Sequence, residues 1–102
     1  MIAANSHEEI AHILPEKFGL TDAYPNPFNP TTSMEITLSV SGNMQVDVYN
    51  LSGKIVESLA SGYHNADTYL LSWNAANVPS GIYFIQAESG GMISTQKVML
   101  VK

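Results

Sequence analysis

The chain has 102 residues and no cysteine, and its nine acidic residues against four lysines give a formal net charge of −5. This length suffices for one domain. The lack of cysteine excludes disulfides, thiolate metal sites and a cysteine nucleophile, and the acidic balance argues against nucleic acid, which is bound through clustered lysine and arginine. The first 18 residues contain no apolar run long enough for a signal peptide or a membrane helix. We therefore expect no membrane insertion and, for an exported protein, a signal located upstream.

Segment 1–14 carries the only helical pattern. A capping box and one apolar helical face are formed by Ser6, Glu9, Ile10, Ile13 and Leu14. Pro15 ends the pattern, and a helix shorter than about ten residues is marginal in water. We interpret residues 1–14 as a linker or a frayed N-terminal segment before a domain of residues 15–102. His7 and His12 are five positions apart and fall on different helical faces, which argues against a metal site.

The stretch "YPNPFNPTT" at residues 24–32 combines three prolines with two aromatics. Proline fixes its own φ and drives the preceding residue toward extended geometry, so the segment is stiff and loses little entropy on folding. Because proline lacks the N–H group, the segment belongs at a sheet edge. We predict a rigid strap in which Tyr24 and Phe28 pack across the open end of the fold. Its residues are Tyr24, Pro25, Pro27, Phe28 and Pro30.

From residue 32 onward apolar residues alternate with polar ones, and turn residues recur about every ten positions. The pattern predicts strands at 32–40, 44–48, 54–59, 69–73, 82–88 and 92–102, with 60–67 as a loop. Segment 82–88 is almost uniformly apolar, which predicts a central strand covered on both faces. This spacing is typical of an all-β fold, a small immunoglobulin-like β-sandwich of about six to seven antiparallel strands.

Three short motifs could carry chemistry, and each has a structural alternative. "STQK" at 94–97 matches the S-x-x-K of serine acyl-enzymes, but on a strand its serine and lysine point to opposite faces. His64 and Asp67 could be a general base and its orienting carboxylate, yet they lie in a polar stretch without a suitably spaced nucleophile. Asn50 begins a glycosylation sequon, but the motif is short and common, and a turn asparagine is the better interpretation. We therefore predict no catalytic, cofactor-binding or metal-binding residue.

Trp73 and the tyrosines could form a platform for carbohydrate. Trp73 alternates with Tyr69 and Leu71 in a predicted strand, and in a sandwich of this size such a tryptophan is more often the centre of the core. From its residues alone the chain is interpreted as a β-sandwich with an interaction or structural role, and not as an enzyme.

Separate blocks of the chain resemble, in order, the C-terminal sorting domains of the type IX (Por) secretion system. The opening block is "LPEKFGLTDAYPNPFNPTT", and the later blocks are "VDVYNLSGKIV", "LSWN", "VPSGIYF" and "KVMLVK", so the likeness covers residues 14–102. The immunoglobulin-like domain of the flagellar hook-capping protein has a related pattern. Asn74 is followed by Ala75 and Ala76 where the family often has glycine, which predicts a remodelled turn.

The resemblance implies a non-catalytic domain without a cofactor that directs a larger secreted protein through the periplasm and across the outer membrane to the cell surface. The implied partners are the outer-membrane secretion machinery, a sortase-like peptidase and an upstream cargo domain. The G-x-Y element of the family falls on Gly81 and Tyr83. The terminal strand supplies the rest of the implied signal, which is Lys97, Val98, Met99, Leu100, Val101 and Lys102.

A signal at the chain end should lie on an accessible strand, so we expect residues 97–102 at an open sheet edge where a partner could add a strand. The lysines at both limits of this strand would equally discourage unwanted edge pairing, without any role in recognition. A function of another class is an accessory module that holds an extracellular enzyme to polysaccharide or to a neighbouring domain. Exposed coplanar aromatics would favour that alternative.

Overall fold

The computed structural model describes residues 18–102, which form seven β-strands and no helix. The strands are β1 (Gly19–Leu20), β2 (Thr31–Leu38), β3 (Gly42–Tyr49), β4 (Ile55–His64), β5 (Asp67–Asn74), β6 (Gly81–Ser89) and β7 (Met92–Leu100). The all-β prediction is confirmed. Within this part of the chain no helix is long and apolar enough to cross a membrane. The segment predicted as a linker, with His7 and His12, lies outside the described residues.

Two sheets form a small β-sandwich. One has three strands in the order β1-β2-β5, and the other has four in the order β4-β3-β6-β7. All neighbouring strands are antiparallel. The chain changes sheets after β2, after β4 and after β5, and the connections 39–41, 65–66 and 75–80 therefore close the ends of the sandwich. The two edges of the larger sheet are β4 and β7.

The core lies between the sheets and is built by the alternation of side chains. In β2 every second residue is buried, and Met34, Ile36 and Leu38 expose at most 2% of their surfaces. Strands β3, β6 and β7 contribute in the same way through Met44, Val46, Val48, Ile85, Ala87, Val98 and Leu100. Burial of a large apolar side chain stabilises a fold by about 1.5–3 kcal/mol. No buried side-chain nitrogen or oxygen of residues 18–102 lacks a hydrogen-bond partner.

Trp73 lies at the centre of this core, as predicted. Its side chain is 1% exposed, and its ring packs against Phe28 and Tyr83 with centroid distances of 5.4 Å and 5.2 Å. Both pairs are tilted, the arrangement that aromatic rings prefer because the edge of one ring faces the π-surface of the other. The buried Trp73 ring is therefore not available as a carbohydrate platform.

The prediction of a loop over residues 60–67 is wrong for residues 60–64. Strand β4 continues to His64, which lies opposite Gly42 of β3. Serine, glycine and asparagine in this stretch are typical of loops, but pairing with β3 holds the chain extended. Two register shifts leave Val56 and Leu59 as extra residues in β4, and both side chains pack against the core. Such bulges twist an edge strand and thereby hinder its pairing with other molecules.

The prediction that β6 is covered on both faces is also wrong. Strand β6 is central within its sheet, between β3 and β7, but the second sheet packs on one side only. Tyr83 and Ile85 point into the core, whereas Ile82 and Phe84 lie on the outer face and remain partly exposed. The uniform apolarity of β6 therefore exceeds what the core requires.

Candidate functional site

The strap, residues 24–30, crosses from one sheet to the other along the side of the sandwich. At its start Tyr24 pairs with Ser33 of β2 through two backbone hydrogen bonds of 2.8 and 3.0 Å. Further along, Phe28 pairs in parallel with the end of β7. Its N–H donates to the carbonyl of Met99 at 2.9 Å, and its carbonyl accepts from the N–H of Val101 at 3.0 Å. The strap thus links both sheets through backbone bonds.

Only one of the two aromatics in the strap enters the core. Phe28 is 2% exposed, whereas Tyr24 is 81% exposed, so the expectation that both pack across the end of the sandwich is wrong for Tyr24. The bonds between Tyr24 and Ser33 fix the backbone and leave the tyrosine ring in solvent.

The three prolines of the strap are exposed, and the carbonyl groups of two of them accept hydrogen bonds. The carbonyl of Pro25 accepts a hydrogen bond of 2.7 Å from the hydroxyl of Thr32, and the carbonyl of Pro30 accepts one of 2.8 Å from the N–H of Ala75. A segment that lacks N–H donors is in this way held by its acceptors.

Asn26 fastens the strap to the last strand with its side chain. Its amide nitrogen donates to the carbonyl of Lys97 at 3.0 Å, and its amide oxygen accepts from the N–H of Met99 at 2.9 Å. These are the donor and acceptor that the peptide group of a neighbouring strand would supply. Together with the backbone of Phe28, the amide of Asn26 occupies the outer edge of β7 from residue 97 to residue 101.

The edge at the carboxyl end is therefore not open. Strand β6 pairs with β7 on one side, and Asn26 and Phe28 bond to it on the other. The expectation of an accessible edge is wrong for the backbone of residues 97–101, because the strap uses the groups that an added strand would need. The groups of this segment that a partner could contact are therefore its outward-pointing side chains.

Alternation divides the side chains of the terminal strand between core and solvent. Val98 and Leu100 are buried. Lys97, Met99 and Val101 point to the other face, where Met99 is 42% and Val101 49% exposed. A partner of the folded domain can contact only the exposed side chains. The buried side chains of Val98 and Leu100 instead hold the strand on the sandwich.

The remaining residues of the implied signal lie at the same end of the molecule. Gly81 begins β6, and Tyr83 is a core residue whose hydroxyl donates to the carbonyl of Pro79 at 2.6 Å. Lys102 is exposed, and its ammonium group donates to the carbonyl of Ala76 at 2.8 Å. The contacts of Gly81 and Tyr83 are thus structural, whereas Lys102 places a positive charge on the surface.

The corner after Trp73 is closed by a side chain. The side-chain oxygen of Asn74 accepts a hydrogen bond of 3.0 Å from the N–H of Ala76, and Ala75 is buried while its N–H donates to the strap at Pro30. An Asx turn and a buried alanine therefore form the corner where the sequence predicts a remodelled turn.

Two of the remaining motifs have structural roles. The side-chain oxygen of Asn50 accepts from the N–H groups of Ser52 and Lys54 at 2.9 and 3.0 Å, which is the Asx turn that closes the β3–β4 connection. The hydroxyl of Ser94 accepts from the N–H of Leu20 at 3.1 Å and so ties β7 to β1. Lys97 points to the opposite face of β7, as the alternation predicts.

His64 and Asp67 each contact a backbone group. The Nδ1 atom of His64 lies 3.0 Å from the carbonyl of Gly62, and the carboxylate of Asp67 accepts from the N–H of Thr68 at 2.7 Å. Across residues 18–102 no three histidine, aspartate or glutamate side chains come close enough to hold a metal ion.

The most exposed aromatics of the described residues do not form a single platform. Tyr24 lies on the strap beside β2 of the smaller sheet, and Tyr63 lies on β4 at an edge of the larger sheet. A polysaccharide-binding module that uses coplanar exposed rings gains no support from these two side chains.

Replacement of Asn26 by alanine is expected to loosen the end of β7. Two hydrogen bonds to backbone groups are lost, each with a net value of about 0.5–1.5 kcal/mol, so we expect the free energy of unfolding to fall by about 1–2 kcal/mol. Urea unfolding measures this change, and faster hydrogen exchange at the Met99 amide localises it.

Asn29→Ala is the matched control for this prediction. Asn29 also precedes a proline of the strap and is also exposed, but none of the side-chain hydrogen bonds found among residues 18–102 involves it. An equal loss of stability in the Asn26 and Asn29 variants would contradict the role of Asn26 as a clamp.

Comparison with known proteins places the chain in a family. A search of the curated proteins gives no match. The family model for the secretion system C-terminal sorting domain matches residues 22–102. The match begins just before the strap and extends through the strand that the strap fastens, so it covers the whole sandwich apart from β1. The chain belongs to the family of secretion system C-terminal sorting domains.

Proposed function

We propose that this domain directs a larger protein across the outer membrane to the cell surface through the type IX secretion machinery. The family match over residues 22–102 carries the proposal. A domain of this family is a C-terminal sorting signal for type IX secretion, and it implies a secreted or cell-surface protein that interacts with the machinery. Passage through the periplasm, an upstream cargo domain and removal of the sorting domain by a sortase-like peptidase are the finer parts of the proposal.

Within this proposal, the residues of the implied signal have two different roles. Lys97, Met99, Val101 and Lys102 are the contacts for the machinery, since they are exposed at one end of a rigid sheet. The others hold that strand in place and are Gly81, Tyr83, Val98 and Leu100. A strand fastened on both edges presents its outward side chains in fixed positions, which lowers the entropy lost on binding.

Surface delivery of a reporter tests the proposal. The full chain is fused behind a periplasmic reporter in a host that has the type IX machinery, and delivery is scored by protease accessibility on intact cells. We expect the fusion to reach the surface and the reporter alone to remain in the periplasm. A fusion that folds but stays in the periplasm would refute the proposed function.

Substitution of exposed residues is more informative than truncation of residues 97–102. Truncation also removes Val98 and Leu100 from the core, so any failure could result from unfolding. The combined change of Lys97→Gln, Met99→Ser and Val101→Ser leaves the core intact and is expected to reduce delivery. Ile93→Ser, an exposed change at the other end of β7, is the control, and equal delivery by both variants would remove the terminal side chains from the proposal.

A further inference from the structure

The outer face of the four-stranded sheet has two halves of different chemistry. The register places side chains of β4, β3, β6 and β7 in rows across the sheet. Toward the β6–β7 turn the rows are mostly polar and contain Gln45, Asp47, Gln86, Glu88 and Thr95. Two exposed apolar side chains, Ile93 opposite Glu88 and Tyr63 opposite Asn43, stand among them without an apolar neighbour in their own rows. Toward the β3–β4 turn the rows are apolar and contain Tyr49, Ile55, Ile82, Phe84 and Met99.

The polar half uses its hydrogen-bonding groups internally. The side-chain amide of Gln45 donates to the carboxylate of Asp47 at 2.8 Å and contacts the hydroxyl of Ser58 at 3.1 Å. Asp47 is buried by these neighbours although it lies on the outer face. In this half the side chains of Gln45, Asp47 and Ser58 therefore bond to one another.

The apolar half is contiguous, and residues 18–102 place no other element over it. Tyr49 lies opposite Ile55 on one side and Phe84 on the other, and Ile82 lies opposite Met99 in the next row. Ile55 is 53% exposed, and the three-stranded sheet packs on the other side of these strands. Contiguous apolar patches rimmed by polar residues mark contact sites on small soluble domains.

Two lysines of residues 18–102 adjoin this apolar half. Lys54 precedes Ile55, and Lys97 lies opposite Phe84. The ammonium group of Lys102 is directed elsewhere, since it donates to the carbonyl of Ala76 at the end of the sandwich. The acids of the outer face, Asp47 and Glu88, are in the polar half. Two of the three lysines among the described residues thus adjoin one apolar surface. Such a surface is complementary to carboxylates placed around an apolar centre.

We propose that this surface, the apolar lysine face, docks onto a protein of the secretion machinery whose contact area has apolar side chains at its centre and carboxylates at its rim. The face consists of Tyr49, Lys54, Ile55, Ile82, Phe84, Lys97 and Met99. The inference rests on the proposed function and deepens it, because recognition then extends from the terminal strand to β3, β4 and β6. It also accounts for the apolar outer side of β6, which the core does not require.

Substitutions outside the terminal strand test this inference. The double variant Ile55→Ser with Phe84→Ser is fused to the reporter and compared with the unchanged chain. We expect delivery to fall roughly tenfold, the loss typical for removal of central apolar contacts from an interface. Because Phe84 is partly buried, urea unfolding of the purified variant accompanies the assay, and the single variant Ile55→Ser, at an exposed position, tests the same face with less effect on folding.

The charge requirement is tested separately with exposed residues. The double variant Lys54→Gln with Lys97→Gln removes both positive charges from the face. We expect delivery to fall roughly several-fold, because the attraction between these lysines and the carboxylates at the rim of the partner is lost. Ser61→Glu with Thr95→Glu changes the net charge by the same amount in the polar half of the sheet and should leave delivery within about twofold of the unchanged chain. If the two charge variants lost delivery equally, the proposal that this face binds a partner with carboxylates at its rim would be overturned.

The outcomes distinguish this inference from the proposed function. If the unchanged fusion is not delivered, the proposed function fails and the inference fails with it. If the unchanged fusion and the Ile55, Phe84 variant are delivered equally, only the inference is overturned. If the unchanged domain dimerises in analytical ultracentrifugation and the variant does not, the face binds a second copy of the chain. If a polysaccharide gel retards the unchanged domain and not the variant, the face binds a sugar. Either result overturns the docking proposal.

Discussion

Phe28→Ala is expected to lower the free energy of unfolding by about 3–5 kcal/mol, the range for deletion of a buried aromatic ring. The ring of Phe28 is buried and packs on Trp73, which in turn packs on Tyr83. Its removal leaves a cavity beside Trp73 and also releases the anchor that keeps the strap on the end of β7. Equilibrium unfolding in urea measures the change.

Tyr24→Ala is the matched control because it removes an aromatic ring from the same strap at an exposed position. The backbone bonds between Tyr24 and Ser33 do not involve the ring, so we expect a change within about 0.5 kcal/mol, as for ordinary surface substitutions. Similar losses in the two variants would show that the strap is not anchored by burial of Phe28.

Leu100→Ala is expected to destabilise the domain by about 2–5 kcal/mol, the range for a buried leucine. Leu100 is buried, lies opposite Gly81 in the ladder and bridges to Phe28 on its other side. The loss therefore affects the point where β6, β7 and the strap meet. Urea unfolding and hydrogen exchange of the β7 amides measure the effect.

Met99→Ala separates recognition from folding in the adjacent position. The Met99 side chain lies on the outer face, so its truncation should cost less than about 1 kcal/mol of stability while it removes part of the apolar lysine face. We expect a clear loss of reporter delivery with little loss of stability. If Met99→Ala destabilised the domain as much as Leu100→Ala, the division of the terminal strand into a core set and an exposed set would be wrong.

The contacts of the strap connect the two ends of the family pattern. Asn26 and Phe28 of the opening block bond to residues 97–101 of the closing block. Because loop closure between segments so distant in sequence costs entropy, the contact must be stabilised by burial of Phe28 and by the bonds along the edge. The strap thus adds a second set of bonds to a terminal strand that already pairs with β6.

Much of the fold follows from the sequence because alternation is a local property. The alternating residues of β2 and β3 identify buried and exposed faces without knowledge of their neighbours. Trp73 as the core centre also follows from its place in an alternating strand. The prediction fails in β4, where serine and glycine form a strand only because β3 supplies the partner, and it misses β1, whose two residues are too few for any pattern.

The composition and periodicity of this chain determine that it is all-β and that Val98 and Leu100 point away from Lys97 and Met99. Only the tertiary structure decides what lies beside each strand. It closes the edge of β7 with Asn26 and Phe28, and it leaves Ile82 and Phe84 of β6 on an uncovered face, two features that the sequence pattern predicted the opposite way. The physical reason is that side-chain direction depends on neighbouring residues in the chain, whereas coverage and edge pairing depend on segments distant in sequence.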